Sequence, residues 1–115
     1  MATMRDVIVD AYTAFNARDI DRALEAMHPD VEWANGMEGG YVHGHRALRD
    51  YWTRQWTQID PHVEPQRVTV DDAGRIVVDV RQIVRDLAGR VLSDQMVQHV
   101  YEIENDLVTR MDIRK

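Results

Sequence analysis

Proton transfer needs a group that titrates in reach of a substrate, and this chain offers two such groups near its end. Within "MVQHVYEI" stands His99, flanked by Gln98 and followed by Tyr101. Imidazole is the side chain whose ordinary pKa lies closest to neutrality, so His99 is a candidate proton shuttle. Within "LVTRMDIR" stands Asp112, two positions after Arg110. A guanidinium beside a carboxylate favours its ionised form, so this pair reads as an oriented acid–base group or as a plain salt bridge. Strand alternation puts Arg110 and Asp112 on one face, with Leu107, Thr109, Met111 and Ile113 on the other. One segment earlier, Met96, Gln98 and Val100 share a face, opposite Val97, His99, Tyr101 and Ile103. Apolarity alone buries the Met111 face and leaves the charged pair in solvent.

Binding chemistry gathers in the first half. Tyr12, Trp33, Tyr41, Tyr51, Trp52 and Trp56 make up most of the aromatic content. Such side chains line pockets for flat, apolar ligands, or fill a core. His43 and His45 have the H-x-H spacing of strand metal ligands. They lie in or beside "NGMEGGYVHG", with four glycines in ten residues, and no third ligand follows at a recognisable spacing, so no metal is expected. The same glycines lack the lysine of a phosphate-binding loop.

These residues need elements to hold them. Thr3 and Asp6 form a capping-box pattern ahead of a helix with Val7, Ile8, Ala11, Tyr12 and Phe15 on one stripe. Asn16 and Arg18 end it. Asp19 caps a second helix carrying Ile20, Ala23, Leu24 and Met27, which Pro29 stops. Val31, Trp33 and Asn35 alternate as a short strand, and the glycine-rich stretch reads as a loop. A third helix carries Ala47, Leu48, Tyr51, Trp52, Gln55, Trp56 and Ile59. Four strands follow, at 63–70, 75–87, 90–103 and 107–114, joined by "DDAG", "LAGR" and "END". Asp79 and Arg81, like Arg85 and Asp86, suit solvated or cross-strand ion pairs. Three helices followed by a long antiparallel meander make an α+β domain with the helices on one face.

Composition bounds the partners. A chain of 115 residues reads as one domain, residues 1–115, with a sizeable core. The net charge of −6, with basic residues scattered, gives no footprint for nucleic acid or an anionic membrane. The absence of cysteine excludes disulfides, thiolate nucleophiles and cysteine–zinc sites. No stretch has the length of a signal peptide's apolar region or of a membrane span, which makes the cytoplasm the default location.

"AFNARDIDRALEAMHPDVEW", then "GGYVHGHRALRDYW", and the closing "HVYEIENDLVTRMDIR" resemble the SnoaL-like group of the nuclear transport factor 2 superfamily, whose best-known enzyme is ketosteroid isomerase. The resemblance implies a cone-shaped barrel of helices on a curved sheet, used as a homodimer through the outer sheet face. Val97, Tyr101, Leu107, Met111 and Ile113 would supply that contact. It also implies that the isomerase's oxyanion-hole tyrosine falls on Ala11, next to Tyr12, its general-base aspartate on Asn35, and its second acid on Gln98. An amide cannot accept a proton near neutral pH, so the steroid-isomerase mechanism does not transfer. In the isomerase register Arg110 and Asp112 face the cavity; a bulge that shifts the register by one would bring in His99 and Tyr101 instead.

The resulting expectation is a pocket for a small, mostly apolar molecule, lined by Tyr12, Trp33, Asn35, Trp52, Gln98 and Arg110, with no cofactor. Trp56 belongs to the core. The alternative is a metal-free isomerase, cyclase or hydratase acting on a small apolar or polyketide-like substrate, with Asp112 or His99 as the catalytic group.

Overall fold

A computed structural model describes residues 3–114. Helix α1, Met4–Asn16, starts on a capping box in which Thr3 and Asp6 each accept the other's backbone N–H. Its C-terminal Asn16 is pinned to the sheet, donating to the Val63 carbonyl at 2.8 Å and accepting from the Val63 N–H at 3.0 Å. Arg18, at φ 62°, turns the chain into α2, Ile20–Leu24, capped by Asp19.

Helix α2 is shorter than its stripe suggests. Strand β1, Met27–Ala34, begins before Pro29 and not after it. The pairing of β1 is irregular between Met27 and Glu32, and that stretch absorbs a proline, which has no N–H for a ladder. Met27 and Val31 sink into the core while Pro29 and Asp30 stay exposed.

The glycine-rich stretch is not wholly a loop. Tyr41–His43 form β2, a short strand pairing antiparallel with β1 through Trp33 and Val42. Gly44, at φ 83°, then opens α3, Gly44–Trp56, and a Cβ there would lie 3.4 Å from the Pro29 carbonyl oxygen. On α3, His45 Nε2 meets the Met27 carbonyl at 2.9 Å, tying this helix to β1.

The remaining strands are β3 (Asp60–Val70), β4 (Ile76–Arg85), β5 (Val91–Glu104) and β6 (Leu107–Arg114). The curved, six-stranded sheet has the order β2-β1-β6-β5-β4-β3 and is antiparallel except where β1 runs parallel to β6. Edge strand β3 holds Pro61 and Pro65, a position where a missing N–H costs least. Three helices cover the inner face, and the core runs from Ile8 and Leu48 through Val31 to Val78, Val80 and Met111. Among the described residues no helix is long and apolar enough to cross a membrane.

Strand register decides which side chains face inward. His99 pairs with Val78 on β4 and Ile113 on β6, and Tyr101 pairs with Ile76 and Met111, all on the inner face. The face taken from ketosteroid isomerase is therefore reversed here. The β5–β6 register shifts between Glu102 and Ile103, opposite the step from Val108 to Arg110. One added residue exchanges the faces of a strand. Val97, Tyr101 and Met111 are buried inside and Ile113 joins the same core, so they cannot form an outer-face contact.

Candidate functional site

Between the helices and the inner face of the sheet lies a cavity of about 250 Å³. Its walls are largely aromatic. Helix α1 contributes Tyr12 and Phe15, β1 Trp33, and α3 Tyr51 and Trp52. Trp52 meets Trp33 edge-on at 5.4 Å between ring centroids and Phe15 at 5.7 Å. Edge-to-face contacts of this kind fix ring orientation as well as burying area. Met27, Met37, Met111 and Ile113 complete an apolar lining, and the amides of Gln55 and Gln82 reach its margin.

The polar end is a chain of three aromatic groups. Tyr101 Oη donates to Tyr12 Oη at 2.7 Å, and Tyr12 Oη lies 2.7 Å from His99 Nδ1. All three are nearly sealed, at 3%, 6% and 7% exposure for Tyr101, Tyr12 and His99. Burial drops the His99 pKa to about 4, so the ring is neutral at physiological pH. Burial also pushes both tyrosine hydroxyls well above their ordinary range. This is a network of neutral donors and acceptors in a nearly dry wall.

The other expected pocket residues lie elsewhere. Gln98 is on the outer face, donating from Nε2 to Asp79 at 2.8 Å. Arg110 is outside too, 2.9 Å from both Glu32 and Asp112 and 3.7 Å from Glu102, with its guanidinium 4.5 Å over the Tyr41 ring. Burial alone would raise the Asp112 pKa, but hydrogen bonds from Arg110 and Tyr41 outweigh it and hold the carboxyl below its ordinary value. The Asp112 carboxylate is thus a salt-bridge partner on the surface, and it does not reach the aromatic cavity.

Asn35 faces away from the aromatic walls. Its Oδ1 accepts from the backbone N–H groups of Met37 at 3.0 Å and Glu38 at 2.9 Å, closing the turn after β1. It lines a second recess with Tyr41, Gln95, Val97 and Asp112, and this recess shares Ala34, Gly36, Gln82 and Ile113 with the cavity. His43 and His45 diverge: His43 sits 3.9 Å from exposed Asp30, while His45 is bonded to Met27. Among the described residues no group of three or more His, Cys, Asp or Glu is placed to hold a metal ion.

Of the residues singled out in the sequence, the fold brings Tyr12, Trp33, Trp52 and His99 together around one space. Phe15, Met111 and Ile113 join them as cavity residues not assigned from sequence, with Tyr51, which the sequence left between pocket and core, and Tyr101, which it admitted only with a shifted register. The signal for Met111 and Ile113 was the apolar alternation of the last strand, read without any borrowed register.

Comparison with known proteins agrees with this architecture. The family model of the SnoaL-like domain matches residues 8–111. No curated protein matches this chain. Among solved structures, TerC co-crystallised with polyporic acid is 27% identical with a TM-score of 0.83, over 96% of this chain and 88% of its own. An NTF2-like protein of unknown function from Burkholderia pseudomallei is also 27% identical, TM-score 0.85, over 99% and 91%. A candidate polyketide cyclase from Sinorhizobium meliloti shares the fold at 20% identity, TM-score 0.80, over 98% and 100%. With the family match spanning nearly all of the α+β fold described above, the chain belongs to the SnoaL-like domain family of the nuclear transport factor 2-like superfamily.

Proposed function

We propose that the interior of this fold, a cone-shaped barrel, is a binding chamber for a small, flat, mostly apolar molecule. The observation that carries this reading is the aromatic box of Phe15, Trp33, Tyr51 and Trp52 around a cavity of about 250 Å³. Pockets of this composition draw affinity from apolar burial and take orientation from a few polar groups. TerC, co-crystallised with the small molecule polyporic acid, supports a small-molecule ligand.

The test uses the methionine methyls as reporters. Titration with indane, a neutral apolar bicycle, followed by methyl NMR, should shift Met27, Met37 and Met111, which line the cavity, and leave Met4 and Met96 in place. Saturable shifts at Met96 alone, or none at the lining methionines, would overturn the reading.

A second reading, a metal-free isomerase, cyclase or hydratase, draws support from His99 on the cavity wall. It is weakened by the cavity's lining, which includes no carboxylate. Asp112 and Arg110, which that chemistry would have used, are paired on the outer face.

We also propose a homodimer through the outer sheet face, in the cytoplasm. With Met111 and Tyr101 turned inward, such a contact would rest on polar groups such as Glu64, Arg81 and Asp94 around exposed Met96. Sedimentation at micromolar concentration should then show a dimer that weakens as salt is raised. A monomer at low salt would reject it.

A further inference from the structure

We infer that the cavity is selective for a neutral molecule bearing a carbonyl-type acceptor, a ketone or quinone oxygen, which it receives on His99 Nε2–H. This deepens the binding reading above and rests on it.

The argument counts protons. Tyr101 Oη has one partner, Tyr12 Oη, and Tyr12 has two, Tyr101 and His99 Nδ1. If protons run from Tyr101 to Tyr12 to His99, each hydroxyl hydrogen has an acceptor, and Nδ1 accepts. The neutral ring then carries its hydrogen on Nε2. In the reverse direction both the Tyr101 hydrogen and the bare Nε2 would lack partners among the described residues, one more unmet group than in the forward direction, and unmet buried groups are costly. The forward direction therefore fixes the tautomer.

Nε2 has no partner among the described residues. The one sealed, unpartnered side-chain nitrogen or oxygen among them is Trp56 Nε1, so Nε2 opens onto free space, and His99 lines the cavity. The groups packed around the imidazole are Tyr12 from α1, Val78 from β4, Tyr101 from β5 and Ile113 from β6, with no charged side chain among them. An ionised ligand would find no counter-charge here, whereas a neutral oxygen acceptor would complete the one open valence of the relay. Tyr12 and Tyr101 act as positioning residues, holding the donor without touching the ligand's oxygen.

The probes are indan-1-one and indane, near-equal in shape and differing at one carbonyl. Both are titrated against the lining methionine methyls. Replacing His99 by Leu should lower the affinity ratio of indan-1-one to indane by roughly 3–10-fold, the worth of one hydrogen bond, with indane unchanged or improved. Two measurements on the unmodified protein stand whether or not that variant folds. Nitrogen-15 NMR should show His99 protonated at Nε2 and bare at Nδ1, and the infrared carbonyl stretch of bound indan-1-one should fall below its value in hexane. A proton on Nδ1, a hexane-like stretch or an unchanged ratio would overturn the inference while leaving the apolar chamber standing. If neither probe moves Met27, Met37 and Met111, the binding reading itself fails, and the inference with it.

Discussion

Tyr12 and His99, 87 positions apart in sequence, lie with ring planes 12° apart and are joined by a 2.7 Å hydrogen bond. This contact locks the first helix to the longest strand of the sheet, and it sits at the polar end of the cavity. Tyr12→Phe would keep the ring and remove the hydroxyl that serves both Tyr101 and His99. Two nearly sealed groups then lose their partner, at about 1–3 kcal/mol for each group left unsatisfied. Adding Tyr101→Phe to that variant should cost little further or recover stability, because one stranded group disappears. Urea denaturation of the two single variants and the double variant measures the coupling; simple additivity would contradict the relay.

The lowered pKa of His99 makes stability depend on pH in a defined window. Free histidine titrates near 6.5 and the buried ring near 4. Above pH 6.5 both folded and unfolded chains hold it neutral, and its contribution is complete. As pH falls toward 4 the unfolded state takes up a proton that the folded state refuses, so stability drops. The loss amounts to about 3 kcal/mol for a shift of this size, and levels off below pH 4. Comparing the wild-type pH profile with that of His99→Leu isolates this slope. Parallel profiles would mean that the ring is not held neutral.

Trp52 is both wall and core. It is 2% exposed and touches Phe15, Trp33 and Trp56 while lining the cavity. Trp52→Ala should therefore destabilise the fold by roughly 3–5 kcal/mol and also weaken ligand binding. Chemical denaturation together with a binding titration checks both, and a full stability loss with unchanged affinity would remove Trp52 from the site.

Asn35→Asp tests the turn. A carboxylate at this position inherits the N–H groups of Met37 and Glu38, which favour its charged form. Its pKa should lie at or below the ~3.9 of a free aspartate. An NMR titration showing a raised value would instead put the group among the aromatic walls, in the isomerase register.

Much of the fold was legible because its signals are local. The stripe from Val7 to Phe15, the Thr3–Asp6 box and the turn chemistry between the last strands each depend on a few neighbouring residues. The short strand Tyr41–His43 was hidden, since it exists only by pairing with β1. The candidate site was harder to read for a related reason. Alternation shows that Gln98 and His99 face opposite ways but not which faces in, and the shift opposite Glu102 adds a residue to β6, which moves Arg110 and Asp112 out of step with Val108. The bare apolarity of Met111 and Ile113 pointed to the right face, and the register borrowed from a distant enzyme pointed to the wrong one. Burial constrains every strand, whereas a catalytic register holds only while no residue is inserted.

The parallel pairing of β1 with β6 has a consequence for assembly on the ribosome. Trp33 sits beside Met111, and Met27 beside Val108, across roughly two-thirds of the chain. Residues 27–34 leave the exit tunnel early and find their neighbour only when residues 107–114 follow. Until then one flank of β1 is an open edge, and the aromatic box lacks the strand that closes it. Nascent chains stalled short of residue 107 should thus recruit hold-type chaperones and resist compaction, and release of the final strand should complete the sheet and the chamber in one late step.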